Sequence, residues 1–176
     1  MAVTLVPSKL VDVPAFRGMT EEEIQELLDI AEAKRFHVGE VILREGNSTQ
    51  SIWIALEGRC EVLKKLDNGE QTVLASLEAP SIFGEMSFFH PAPHVANVCA
   101  QDDVRVLRIR RDRFDKLIER GSLAAYKLAY NVVLVLADRL RRMDERIADL
   151  VESRGDDGQI AEWSDFRAKL HGDWHV

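Results

Sequence analysis

The sequence is poor in cysteine and has no long apolar run. Its two cysteines, Cys60 and Cys99, lack the C-x-x-C spacing of redox and metal sites. We therefore expect buried, free thiols rather than a disulfide or a metal centre. The most apolar stretch, residues 123–137, is interrupted by Lys127 and Asn131. It is also shorter than the roughly 20 residues that a membrane span needs, so we expect no transmembrane helix.

Positive charge is also in short supply. Lysine and arginine together number 23, against 30 aspartates and glutamates, which gives a formal net charge of −7. This balance opposes nucleic-acid binding, because such binding depends on neutralising phosphates with cationic side chains. Residues 1–13 have no basic opening followed by an apolar core, as a secretory signal would. We expect a soluble, cytoplasmic protein that does not bind DNA directly.

The sequence does contain enough apolar material for one folded domain, since 46% of its residues are hydrophobic and 30% are charged. A capping box from Thr20 to Glu23 predicts a helix over residues 21–33. Residues 36–109 contain short apolar runs separated by turn residues, and Asn68-Gly69 is the strongest hairpin signal. These runs lie too close together for parallel crossover units. They predict an antiparallel β-roll or jelly-roll-like barrel.

Helices are predicted again after the roll. A short helix is expected over residues 111–119, and residues 123–153 contain no glycine or proline and predict one long helix. Apolar residues recur along this helix at alternating steps of three and four, as in the seam of a left-handed coiled coil. The predicted seam consists of Tyr126, Ala129, Val133, Leu136, Leu140, Met143, Ile147 and Leu150. This pattern predicts a homodimer that associates through the long helix.

The fold class is therefore α+β, mainly β, with an N-terminal helix and a long C-terminal dimerisation helix. Four parts are expected along the chain. They are an N-terminal extension (1–15), the β-roll (16–121), the long helix (122–154) and a tail (155–176). The tail is too short for a DNA-binding domain of ordinary size.

One segment carries a family resemblance. It reads IFGEMSFF at residues 82–89 and PHVANV at residues 93–98. Together with the early helix, the glycine-punctuated roll and the long final helix, it resembles the cyclic nucleotide-binding domain of catabolite activators and kinase regulatory subunits. The resemblance covers roughly residues 16–151. It implies a non-catalytic regulatory or sensor module, with cAMP, cGMP or another small anion as the candidate ligand and a protein as a candidate partner.

The resemblance also implies where the ligand binds. In the family, the turn that matches residues 84–87 holds the cyclic phosphate with backbone amides. The family glutamate that matches Glu85 accepts hydrogen bonds from the ribose. The candidate ligand-binding residues are Gly84, Glu85, Met86, Ser87, His94 and Val95. On the long helix, Met143 and Asp144 match the base-facing positions.

Two positions that bind the phosphate in the family depart from its pattern. His94 replaces an arginine that binds the phosphate, and Val95 replaces a serine or threonine. A histidine binds an anion less strongly than arginine unless it is protonated, so we expect weak binding that strengthens as the pH falls from about 8 to 6. In the alternative, Gly84 and Glu85 form only a tight turn and helix cap, and His94 is a surface residue. The chain would then be a ligand-free dimerisation or protein-interaction domain.

A remote alternative is a metalloenzyme of the cupin type, because cupins are also small β-rolls. Cupins need closely spaced histidines and an acidic ligand on neighbouring strands. His37, His90 and His94 lack this spacing, and His171 and His175 lie in the tail. No nucleophile elbow, P-loop or dinucleotide-binding motif is present either. We therefore expect neither catalytic activity nor a metal site.

Overall fold

A computed structural model describes residues 6–66 and 68–154 of the chain. The chain divides between Val133 and Leu134 into two compact units. The first unit contains the sheets, the short helices and the first turns of the last helix. The second unit continues that helix.

Eight strands lie within the described residues. They are β1 (Ala31–Phe36), β2 (Val41–Leu43), β3 (Ser51–Glu57), β4 (Arg59–Lys65), β5 (Gln71–Glu78), β6 (Ser81–Phe83), β7 (Asn97–Ala100) and β8 (Val104–Arg110). The α-helices of this part are α1 (Glu21–Ile30), α2 (Glu85–Phe89), α3 (Arg111–Glu119) and α4 (Leu123–Arg154). Two short 3₁₀ turns, Pro7–Lys9 and Pro14–Phe16, precede α1.

The strands form two four-stranded antiparallel sheets. One has the order β1-β8-β3-β6, and the other has the order β2-β7-β4-β5. Apolar residues from both sheets form one core cluster, which consists of Ile42, Leu43, Trp53, Ala55, Cys60, Phe83, Val98, Ala100, Val104 and Val106. The predicted antiparallel β-roll is therefore confirmed. The sheets are not closed into a barrel, so that part of the prediction is wrong.

Helix α1 begins where the capping box predicts. The backbone amide of Thr20 donates to Glu23 Oε2 at 2.7 Å, and the amide of Glu23 donates to Thr20 Oγ1 at 3.3 Å. The helix ends at Ile30 rather than at the predicted residue 33. Ala31 is extended and lies opposite Ile109 of β8. Pairing with β8 thus overrides the moderate helix propensity of residues 31–35, because propensity is a weak prior against tertiary context.

The predicted hairpin in the first unit is confirmed. Strands β4 and β5 form a hairpin around Asn68-Gly69, where the Leu66 amide donates to the Glu70 carbonyl at 2.8 Å. Cys60 is buried, Cys99 is half-buried, and both thiols are free. None of the helices in the described part of the chain is both long and apolar enough to cross a membrane.

The first turns of α4 pack on the N-terminal segment. Ala124, Leu128 and Val132 are fully buried there. The side-chain amide of Asn131 donates to the carbonyl of Ala15 and to that of Arg17, both at 3.0 Å. These contacts fix the beginning of the long helix within the first unit.

The predicted seam of α4 is partly exposed within a single chain. Four of its members are each more than half exposed: Tyr126, Val133, Leu140 and Met143. Ala129, Leu136 and Ile147 are half-buried, and the side chain of Leu150 lies outside the described residues. Ion pairs between residues four apart also lie along α4, with Arg142–Asp138 at 2.8 Å and Arg141–Glu145 at 3.2 Å.

Candidate functional site

A glycine joins β6 to α2. Gly84 has a φ of 78°, in the left-handed region that favours glycine. A Cβ at this position would lie 2.7 Å from the carbonyl oxygen of Ser51 and 2.9 Å from Cδ1 of Trp53. The close approach of β3 therefore requires a glycine here whether or not a ligand binds. This supports the tight-turn interpretation of Gly84.

Helix α2 buries both of its polar residues. Glu85 and Ser87 are buried, whereas Met86 is exposed. The helix is held against α3 by Phe88, whose ring centroid lies 5.1 Å from that of Phe114. Arg111 adds a hydrogen bond of 2.8 Å to the carbonyl of Phe88. The packing of one apolar side therefore fixes the position of the carboxylate of Glu85 and the hydroxyl of Ser87.

His94 is buried beside α2. Only 6% of it is exposed, so its interpretation as a surface residue is wrong. Its Nδ1 lies 2.8 Å from Ser87 Oγ, and its Nε2 lies 2.6 Å from Thr49 Oγ1. A hydroxyl can donate or accept a hydrogen bond, so these two hydroxyls satisfy both ring nitrogens. We call Thr49, Ser87 and His94 the histidine network.

The backbone of His94 is bound as well. Its amide donates to the carbonyl of Asn47, and its carbonyl accepts from the amide of Gly46, both at 2.9 Å. His94 thus connects α2 to the loop of residues 44–50, which links β2 to β3. Its side chain contacts both segments, and its backbone contacts the loop.

The histidine network contains no group that would keep the ring charged. Burial lowers the pKa of His94 below its usual value, and its side-chain partners are hydroxyls rather than carboxylates. The ring is therefore neutral at neutral pH. His94 is therefore protonated only at a lower pH than a histidine with the reference pKa of about 6.5. The predicted strengthening of anion binding shifts to lower pH in the same way.

An ion pair borders the site at the residue after His94. The carbonyl of Val95 accepts a hydrogen bond of 2.7 Å from Nζ of Lys64 on β4. The same ammonium lies 2.5 Å from Oε1 of Glu45. Hydrogen bonding to Lys64 lowers the pKa of Glu45 below its usual value, so Glu45 is ionised at neutral pH. Val95 itself is exposed.

The structure brings some of the predicted site residues together. The turn at Gly84 leads directly into Glu85 and Ser87, and Ser87 contacts His94. Met86 and Val95 lie nearby in the chain but are exposed. Met143 and Asp144 belong to the second unit, where Met143 is exposed and Asp144 is half-buried. Their base-facing role stays a prediction.

Sequence reasoning missed three residues of this region. Thr49 contacts His94 from a distant loop, and no local sequence signal marks it. Glu45 lies in the same loop and contacts Lys64 of β4, and no local sequence signal marks it either. Lys64 could have been noticed, because it lies two residues after Val62 in an alternating strand, at a position that shares the inward face. Within residues 6–66 and 68–154, no group of three or more His, Cys, Asp or Glu side chains could hold a metal ion.

Comparison with known proteins identifies similar chains. The family model described as the cyclic nucleotide-binding domain matches residues 33–121. The cyclic AMP receptor protein of Thermus thermophilus is 29% identical over 131 residues, which cover 74% of this chain and 59% of that protein. The chain thus spans less than two thirds of the length of this curated relative.

Solved structures have the same architecture. The catabolite activator protein of Thermus thermophilus matches with a TM-score of 0.68 and 27% identity, over 78% of this chain and 62% of that one. A cyclic nucleotide-binding domain from Methylobacillus flagellatus matches with a TM-score of 0.75 over 81% of this chain and 83% of that one. Its identity of 21% shows a shared fold alone.

Proposed function

The chain belongs to the cyclic nucleotide-binding domain family, and from that premise we propose that it is a non-catalytic regulatory module. In this proposal it binds cAMP or cGMP at the turn between β6 and α2. The observation that carries the proposal is this turn, where Gly84 leads into a buried Glu85 and a buried Ser87. A buried carboxylate is a pure acceptor and suits the hydroxyls of a ribose.

The histidine network predicts that binding is weak. Position 94 offers a neutral ring whose two nitrogens already have hydrogen-bond partners. A hydrogen bond to a charged group contributes about 1.5–3 kcal/mol, or roughly one to two orders of magnitude in affinity. We therefore expect binding weaker by about that factor than in a site that keeps an arginine at this position.

Isothermal titration calorimetry with cAMP and with cGMP tests the proposal directly. We expect saturable binding of at least one nucleotide, and a large loss of affinity in Glu85→Gln. The matched control is Glu78→Gln, because Glu78 is an exposed glutamate on β5 and its neutralisation should leave affinity unchanged. The proposal is contradicted if neither nucleotide gives a binding signal at millimolar concentration.

The second candidate function is a ligand-free interaction domain. The observation that favours it is the histidine network, because a site with internally satisfied polar groups needs no ligand to complete its hydrogen bonds. The same calorimetry separates the two functions, since this candidate predicts no uptake of either nucleotide.

We also propose that the chain forms a homodimer through α4. The support is the row of exposed apolar side chains on that helix, because contiguous exposed apolar surface marks interaction sites. A protein partner would receive the regulatory signal, since the net charge of −7 opposes direct DNA binding. The cytoplasmic location, the absence of catalysis and the four-part domain division stay predictions.

A further inference from the structure

The proposed function raises the question of which residue supplies a positive charge for the phosphate. A cyclic nucleotide carries a negative phosphate, yet His94 is neutral and Val95 has no side-chain donor. The buried polar residues of the described part of the chain are Ser51, Glu85, Ser87, His94, Ser122 and Asn131. None of these carries a fixed positive charge, so a cation for the phosphate has to come from a more exposed residue.

Lys64 is placed to supply this charge. Successive residues of a strand point to opposite faces, so Cys60, Val62 and Lys64 of β4 share one face. Cys60 belongs to the core cluster, and Val62 packs against it. Lys64 therefore continues an inward-facing row, and its side chain is still 39% exposed. A lysine at the end of such a row lies where the interior of the roll meets solvent.

The hydrogen bonds of Lys64 place its ammonium at the candidate site. Its Nζ donates to the carbonyl of Val95 at 2.7 Å. Val95 follows His94, whose ring contacts Ser87 of α2. The charge of Lys64 therefore lies beside the segment where the resemblance places the phosphate.

Glu45 is held in place by contacts other than its ion pair with Lys64. The amide of Glu45 donates to Asn97 Oδ1 at 3.0 Å, and Oε2 of Glu45 accepts from the amide of Lys65 at 3.1 Å. A lysine instead has a flexible four-carbon stem and three donors. The ammonium can thus turn from the carboxylate to a ligand while Glu45 stays in place.

We propose that Lys64 supplies the positive charge that binds the phosphate of the cyclic nucleotide, and that Glu45 competes with the ligand for this charge. The inference rests on the proposed function and names a determinant of that same site. It differs from a structural role for the ion pair, because a partly exposed ion pair contributes little to folding stability. Both side chains of this pair are partly exposed.

Calorimetry on three variants tests the inference, with cAMP and cGMP as the probes. We expect Lys64→Ala to bind about tenfold more weakly or worse, as the loss of a charged hydrogen bond implies. Glu45→Gln should bind several-fold more tightly, because it frees the ammonium. The matched control is Lys116→Ala, which removes the same charge from an exposed position on α3 and should leave affinity unchanged.

The decisive result is that Lys64→Ala weakens nucleotide binding whereas Glu45→Gln strengthens it. If the ion pair were purely structural, Lys64→Ala and Glu45→Gln would both weaken it, and both variants would then change affinity in the same direction. The affinity of the wild type should also fall as salt rises, and that of Lys64→Ala should fall less. Urea denaturation of each variant shows that it remains folded.

The outcomes separate the inference from the proposed function. Wild-type binding that Lys64→Ala leaves unchanged, or that Glu45→Gln weakens, overturns the inference alone. Failure of both the wild type and Glu45→Gln to bind either nucleotide overturns both proposals. Binding by Glu45→Gln where the wild type does not bind contradicts the proposed function of the unaltered chain, and it supports the competition between Glu45 and the ligand for Lys64.

Discussion

Replacing His94 with alanine should destabilise the first unit. The substitution removes the two hydrogen bonds that the imidazole makes to Ser87 and Thr49. Ser87 is only 4% exposed, so its hydroxyl loses a partner that water cannot easily replace. Thr49 is exposed, so its hydroxyl regains a partner from solvent. The cost of the substitution therefore depends mostly on Ser87 and on the space that the ring leaves.

The magnitude follows from these contacts. An unsatisfied buried hydroxyl costs about 1–3 kcal/mol, and an ordinary hydrogen bond is worth about 0.5–1.5 kcal/mol. Loss of buried ring atoms adds a packing penalty. We expect the free energy of unfolding to fall by about 2–4 kcal/mol in total. The midpoint of thermal unfolding should then fall by about 4–16 °C for a chain of this size.

The same variant should change how stability depends on pH. Burial lowers the pKa of His94 in the folded state, whereas an unfolded histidine titrates near a pKa of about 6.5. Protonation thus favours the unfolded chain. The contribution of His94 is complete above about 6.5 and is lost as the pH falls through the folded-state pKa. The stability difference between wild type and His94→Ala should therefore shrink as the pH falls from about 7.5 to 5.

Urea denaturation followed by far-ultraviolet circular dichroism measures both effects. The matched control is His90→Ala, because His90 is an exposed histidine at the end of α2. It should change the free energy of unfolding by no more than about 0.5 kcal/mol. Equal destabilisation by the two variants would refute the histidine network as a stabilising element. A stability difference between wild type and His94→Ala that is constant across this pH range would refute the argument that burial lowers the pKa of His94.

Three further predictions concern other parts of the chain. Sedimentation equilibrium should show a wild-type dimer at tens of micromolar, an order typical of modest association, and a monomer for Leu140→Asp; a monomeric wild type would contradict the seam. His94→Arg combined with Val95→Ser should raise cAMP or cGMP affinity about tenfold or more in calorimetry, and no gain would mean that the turn is closed to ligand. Gly84→Ala should lower the free energy of unfolding by more than about 2 kcal/mol. Gly121→Ala, at a similar φ of 72° with nothing within 4 Å of the added Cβ, should cost only about 1 kcal/mol, so equal losses in urea denaturation would refute the steric argument.

The sequence predicted those features of the fold that depend on neighbouring residues. The capping box located the start of α1, because a helix N-terminus is specified by residues three apart. The end of α1 was missed, because residues 31–35 are compatible with a helix and only pairing with the distant β8 makes them a strand.

The candidate site also has a part that the sequence could predict and a part that it could not. The turn from Gly84 to Ser87 is contiguous and could be identified from the sequence, whereas the contact between Thr49 and His94 joins separate loops. His94 also contacts the loop of residues 44–50, which is distant in the sequence, so the sequence alone left a surface position for this histidine open as the alternative. Strand alternation could have indicated which face of β4 carries Lys64, but the contact of Lys64 with Val95 required the structure.

The pairing of β1 with β8 and of β2 with β7 has a consequence for synthesis on the ribosome. The first strand of the roll acquires its partner only after the last strand has emerged from the exit tunnel. Until then the nascent chain carries β1 with unpaired backbone groups, a state that favours association with other chains. Such distant pairings also make closure slow, on the order of milliseconds to seconds. A nascent chain arrested before Val104 would hold β1 and β3 without the strand that lies between them.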